Sequence, residues 1–380
     1  MNHQFLAKDK IEKKKTLEKT TFLKIKIFLT LIPASLVLSS CTSSDIKTAK
    51  GFGDASNALE QLNTAVADDI YNSCTRSSTW LALGTSETRQ NMRDAIKDCD
   101  TMFRPNSVRT KIAGEVIVEY VGAIGSLATE DRNTVKTEFE EIGTALQGLK
   151  VKTKNSPPFQ FKQNTIDTGV NIATFLTNLF LGNFRRKNLK AAIVCTDKDI
   201  QTYSAGLASF IDELYVKALL DDEIDSITRY FGAYRSPLTD KTNLLLNSDS
   251  PEVFTSLQDT QLKRDRDMQD EISKVISKKN TGAAYVTLIQ TTAAAHADLK
   301  RIFNDGKDNL SPELTAKCNK YFARNSSNII TMKTPGTDSL NQEISQSELE
   351  QIRKVAKAYN SKVMPLLAHI KQQSSSTNQD

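Results

Sequence analysis

The chain has 380 residues, with 50 lysines and arginines against 45 aspartates and glutamates, a formal charge of +5. Residues 1–26 hold the whole excess, eight lysines against Asp9, Glu12 and Glu18, and removing them leaves 42 charges of each sign. The rest of the chain therefore lacks the basic footprint of a nucleic-acid binder, and no nucleic-acid partner is expected.

The lysine-rich start leads into an apolar run, Ile27 to Leu38, which ends in Leu38-Ser39-Ser40-Cys41. A basic segment, about 7–15 apolar residues and then small residues make a secretory signal. An apolar run twelve residues long, interrupted by Pro33, falls short of the roughly 20 that span a bilayer. Leu-Ser-Ser-Cys resembles the lipobox of bacterial lipoproteins, in which a peptidase cuts before a lipidated cysteine. The resemblance covers residues 1–41 only. It implies that 1–40 is a signal peptide, that Cys41 is the lipid attachment site, and that two acyl chains anchor the protein to a membrane. With Thr42 in place of aspartate after the cysteine, it implies the outer membrane of a diderm cell envelope.

Residues 41–53 read as the lipidated cysteine and a short polar tether ending at Gly51-Phe52-Gly53. From Asp54 onward apolar residues recur at three and four positions, the period of an amphipathic helix. Leu59, Leu62, Val66, Ile70 and Cys74 form the first stripe, reaching Trp80 and stopping near Gly84. A second runs from Ser86 through Met92, Ile96, Cys99 and Phe103 to Arg104-Pro105-Asn106, and a third from Ser107 to Ala128. Val135, Phe139, Ile142, Leu146 and Leu149 complete an N-terminal helical bundle, residues 54–150.

Residues 151–164 break the pattern with Pro157-Pro158, Phe159 and Phe161. They are expected to be a connector whose aromatics tuck onto the body, or else a proline-flanked docking segment of the extended type. A C-terminal bundle, residues 165–372, follows. Its first helix, 165–183, is apolar on most sides and so expected at the centre. Leu189, Ile193, Thr196, Ile200, Tyr203, Leu207, Phe210 and Leu214 then step as heptads, with a phase shift before Leu220, Ile224, Ile227 and Phe231 and an end near Pro237. Ser250-Pro251-Glu252 starts a further helix, interrupted at Thr281-Gly282 and resumed through Tyr285, Ile289, His296 and Phe303. Ser311-Pro312 opens a short helix, Ile329 to Met332 is the one candidate strand, and Ser347-Glu348-Leu349-Glu350 reads as the capping box of the last helix. Residues 373–380 read as a disordered tail. The fold class is thus all-α, roughly eight to ten helices in one or two antiparallel bundles.

Beyond Cys41 the chain has Cys74, Cys99, Cys195 and Cys318, an even number suited to an oxidising compartment. Three connectivities exist for four cysteines. The neighbours Cys74–Cys99 and Cys195–Cys318 are preferred because each pair stays within one half of the chain.

Reactive constellations are scarce. Glu-x-x-His, HExxH and Cys-x-x-Cys are missing, and Ala293 stands where a di-iron bundle would need glutamate ahead of His296, so neither metal nor cofactor is expected. His296, on a seam, reads as a hydrogen-bonded core histidine. Ser44-Asp45-Ile46-Lys47 matches Ser-x-x-Lys by spacing alone. Asp221, Asp222, Glu223 and Asp225, like Glu138, Glu140 and Glu141, read as solvated helix faces rather than paired catalytic acids. Tyr71, Arg76, Trp80, Tyr230, Phe231 and Tyr234 carry the side chains most favoured at interaction hot spots. The expected function is therefore non-enzymatic: an envelope scaffold or interaction module with a protein partner. The alternatives are a carrier of an apolar solute or lipid between the helices and a cell-wall hydrolase using an acidic pair.

Overall fold

A stripe of apolar residues three and four apart leaves water only when the helix carrying it lies against another. The computed structural model of the chain describes residues 43–83, 88–129, 142–152, 158–181, 189–245, 251–322 and 345–376. The helices are α1 Ser43–Leu83, α2 Thr88–Asp98, α3 Arg104–Thr129, α4 Ile142–Gln147, α5 Gln163–Leu181, α6 Leu189–Phe210, α7 Leu220–Leu245, α8 Pro251–Phe303, α9 Pro312–Phe322 and α10 Gln346–Ser376. Two π-helical stretches, Cys99–Phe103 and Ile211–Leu219, join α2 to α3 and α6 to α7, so the described segments make eight rods. The fold is all-α.

The heptad stripe of α6 is buried as read: Leu189, Ile193, Thr196, Ile200, Tyr203, Leu207, Phe210 and Leu214 all lie in the core. So do Leu59, Leu62, Val66 and Ile70 of α1 and Tyr285, Ile289, Thr292, His296, Leu299 and Phe303 of α8. α1 packs along α3 and also touches α7, α8 and α10, while α8 packs against α6, α7 and α10. Both expected disulfides are present. Cys74–Cys99 joins α1 to the first π stretch with Cα atoms 5.8 Å apart, and Cys195–Cys318 joins α6 to α9 at 5.2 Å. Both separations lie within the range a disulfide bridges.

The expected division into bundles 54–150 and 165–372 does not hold. Thr42–Asp380 form one compact unit, and residues of α1, α3, α6 and α8 share one apolar cluster. Sequence-adjacent helices with short connections suggest separate hairpins, but α1 has a second apolar side, which α7 and α8 cover. The 43–53 segment is the first part of α1 rather than an irregular tether. α10 likewise runs to Ser376, into the expected tail.

Three expected breaks are bridged. At Arg104-Pro105 the helix passes into α3 through a π turn, with the Arg104 amide reaching back to the Cys99 carbonyl. The widened turn accommodates a proline that has no N–H to offer. At Gly282, α8 continues because the residue is needed for proximity. A Cβ there would lie 2.8 Å from Val216 and 2.9 Å from the Tyr215 ring. Beyond Tyr234, α7 extends past Pro237 to Leu245.

The 151–164 segment takes part in an antiparallel strand pair that its proline content concealed. β1 (Lys150–Val151) and β2 (Phe159–Gln160) pair Lys150 with Gln160 and Val151 with Phe159. Phe161 is buried, its ring 5.0 Å from Phe210 and 6.3 Å from Tyr203, so the aromatics tuck onto the body. The strand expected at Ile329–Met332 lies outside the described residues. The capping box of α10 is Ser345 with Glu348, two residues earlier than read. The Ser345 amide donates to Glu348 Oε2 at 2.8 Å, and the Glu348 amide donates to Ser345 Oγ at 3.3 Å.

Candidate functional site

The π stretch Ile211–Leu219 inserts extra residues per turn and so resets the stripe that follows it. After it the buried positions are Leu220, Glu223, Ser226 and Ile227, which carries Glu223 into the core with 1% of its surface exposed. The expectation of a solvated face at 221–225 is therefore corrected for Glu223, although Asp221 and Asp225 are exposed. An acidic side chain in that place needs a partner.

Arg76 of α1 supplies it. Its Nε lies 2.5 Å from Glu223 Oε1 and its Nη2 donates to Oε2 at 2.9 Å. The same guanidinium donates to both carboxylate oxygens of Asp69, one α1 turn pair earlier, at 2.8 and 3.0 Å. Lys278 of α8 donates to Asp69 Oδ1 at 2.8 Å, Tyr215 of the π stretch to Oδ2 at 2.8 Å, and Ser73 to Glu223 Oε2 at 2.7 Å. Two anions and two cations thus balance where α1, α7 and α8 meet. Burial would raise the Asp69 carboxyl, but the Arg76 and Lys278 contacts outweigh it and hold it below the usual carboxylate range. Burial beside Asp69 pushes the Tyr215 phenol well up, so it serves as a donor.

A second polar cluster ties α3, α6 and α8. His296 Nδ1 lies 3.0 Å from Asp197 Oδ1, and its Nε2 lies 2.7 Å from the Tyr120 hydroxyl, which is 2.5 Å from Thr196 Oγ1. A carboxylate can only accept, so the Asp197 contact places a proton on Nδ1; in the neutral ring Nε2 then accepts from Tyr120. Burial raises the Asp197 carboxyl, and the His296, Gln201 and Lys300 contacts together more than reverse this. His296 is a hydrogen-bonded core histidine, as expected, with 4% of its surface exposed. The enclosed space beside it, lined by Ile117, Tyr120, Val121, Ile124 and Leu299 among others, is about 10 Å³.

The structure divides the interaction candidates. Trp80 stacks within 5.1 Å of Tyr230 and 5.8 Å of Phe231, which are 5.0 Å from each other, in a half-buried cluster between the end of α1 and α7. Tyr71 belongs elsewhere, donating to Asp100 at 2.8 Å beneath the Arg104 guanidinium, 4.2 Å from its ring centre. Arg76 belongs to the ion cluster. The Tyr234 and His369 side chains, Cys41, and Glu138, Glu140 and Glu141 lie outside the described residues.

Asp69 and Lys278 were not singled out in the sequence, and Glu223 was read only as part of a solvated face, because helical charges usually face water. One signal was there: the Leu214-to-Leu220 phase shift, which makes the side on which Glu223 emerges a matter of the turn geometry. Among the described residues, no group of three or more His, Cys, Asp or Glu is placed to hold a metal ion, and no helix is long and apolar enough to cross a membrane. No known protein family matches the chain, and no curated protein or solved structure is similar to it.

Proposed function

We propose that the protein is a lipid-anchored envelope protein that acts as a helical scaffold or protein-interaction module rather than a catalyst. The observation that carries this reading is how the chemistry-bearing side chains are used. Asp69, Arg76, Glu223 and Lys278 neutralise one another, and Asp197 and His296 are held in the core, while Trp80, Tyr230 and Phe231 gather half-exposed. Trp80 stands 37 residues along α1 from Ser43, about 55 Å at 1.5 Å per residue. Cys41 precedes Ser43 by two residues, so the aromatic group belongs to the end of α1 far from the anchoring cysteine.

The alternatives receive less support. A solute carried between the helices needs an enclosed cavity of at least about 300 Å³; the space beside His296 is about 10 Å³, and the larger hollow beside β2, about 540 Å³, is a groove open to solvent. A glycosidic acid pair needs open carboxyls about 5–9.5 Å apart with room for a sugar, whereas Asp69 and Glu223 are buried on either side of one guanidinium.

Two measurements test the proposal. Cross-linking in intact cells, followed by mass spectrometry, should recover an envelope protein joined near Trp80, and Trp80→Ala should remove that cross-link; recovery of no partner would sink the interaction reading. Cys41→Ser should release the body from membranes or stop its processing. Unchanged membrane association would remove the anchor from the proposal.

A further inference from the structure

A groove of about 540 Å³ runs between the strand pair and α6, well away from the Trp80 cluster in sequence and in the helices that build it. One wall is five consecutive residues, Pro158 to Lys162, which include the whole of β2; β1 contributes nothing to the lining. β1 instead meets α3, where the Asn106 amide donates to the Lys150 carbonyl at 2.9 Å and Val151 is buried. The opposite wall is Thr202, Ala205, Gly206, Ser209, Phe210 and Glu213, spaced as one face of a helix. We propose that this groove is a docking site for an extended peptide segment of a partner protein, which adds to β2 as a third strand on the side away from β1.

The dimensions fit that occupant. From Thr202 to Glu213 the helical wall is about 16 Å long at 1.5 Å per residue, which matches about five residues of strand at 3.3 Å each. A strand edge offers backbone donors and acceptors to any extended chain laid beside it. Alternate side chains of the added strand would face the aromatic wall of Phe159, Phe161 and Phe210, and the small, exposed Ala205 leaves room opposite. Lys162 and Glu213 give the lining one charge of each sign, which suits a peptide better than a phosphate or another compact anion. The proposal extends the interaction reading to a second surface. It is testable without a cell or an anchor, so its failure would leave the Trp80 cross-link untouched.

The probe is a phage-displayed pool of random eight-residue peptides selected on the purified full chain, with the strongest binders then synthesised. Ala205 and Ser209 are exposed, so Ala205→Trp and Ser209→Trp fill the groove without entering the core, and an unchanged melting profile identifies the variant that folds. Peptide binding should weaken at least tenfold in that variant. Amide hydrogen exchange within Phe159–Phe161 should slow at least tenfold when peptide binds, at those alternate amides that face away from β1, and N-methylation of one alternate set of peptide amides, but not of the other, should abolish binding. The proposal is overturned if no peptide is selected, if binding is indifferent to groove filling or N-methylation, or if exchange at these amides is unaltered.

Discussion

Two polar clusters sit in the same apolar bundle and hold helices together by different means. At the π stretch, Asp69, Arg76, Glu223 and Lys278 bring four charges together, with Tyr215 and Ser73 as neutral donors. At His296, a chain of Asp197, imidazole, Tyr120 and Thr196 joins three helices mainly through directed hydrogen bonds. Each satisfies its members, but they respond differently to losing one. Removing a cation from the first leaves an unbalanced anion in a low-dielectric setting, whereas removing a hydroxyl from the second leaves one unfilled hydrogen-bond site. Ion clusters of this kind add little net stability over apolar packing and are sensitive to any missing partner.

The largest effect should follow Arg76→Ala, which strands Glu223 at 2% side-chain exposure. A loss of about 3–5 kcal/mol in urea unfolding is expected. Adding Glu223→Gln should recover part of it, and a single-variant loss below about 1 kcal/mol would show that the charges are not coupled as the distances indicate. The pH dependence of the cluster has a definite sign. Asp69 has a folded pKa below its ordinary 3.8, so its contribution is present above that value and disappears as acid protonates it. Acid titration of Asp69→Asn against the parent chain should show the two stabilities converging at low pH.

A smaller effect is expected at the other cluster. Tyr120→Phe keeps the ring and removes the hydroxyl facing His296 Nε2, for a loss of about 1–2 kcal/mol. A loss as large as that of Arg76→Ala would erase the distinction between the clusters. A carboxylate whose burial outweighs its charged neighbour makes the smallest and opposite test. Burial raises Asp199 to about 6, partly offset by a hydrogen bond from Asn171 and by Lys198. A raised pKa means that protonation favours the folded state, so this contribution is full below about pH 4 and lost as pH rises through 6. Asp199→Asn should therefore stabilise the chain at pH 7 by about 1 kcal/mol, a figure already reduced for its partial exposure. The gain should vanish by about pH 4; a gain independent of pH would trace to packing instead.

The difference between the clusters also explains what could be read beforehand. His296 was legible because it occupies a seam position in a strict heptad, and a histidine there has to find hydrogen-bond partners. Asp197 and Tyr120 could not be assigned to it, since they come from other helices. Glu223 was misread because it follows the π stretch, where the side of the helix on which a residue emerges depends on local turn geometry. Gly282 shows the same limit: in the sequence it looks like a break, and in the fold it is where α8 packs too close to Tyr215 and Val216 to admit a Cβ. The aromatic candidates were half legible. Trp80, Tyr230 and Phe231 do meet, while Arg76 and Tyr71 serve separate contacts.

By itself the sequence determined that the chain is helical and most of the stripes that the core buries, and it favoured the cysteine pairing that the structure shows. Those properties follow from periodicity and from neighbours along the chain. Tertiary structure alone decided that two expected bundles are one core, that the helix passes Pro105 and Gly282, and that four charges lie at the junction of α1, α7 and α8. The reason is physical: a stripe specifies that a surface must be covered but leaves open what covers it. A buried charge is permitted only where the fold brings its counter-charge within hydrogen-bonding distance.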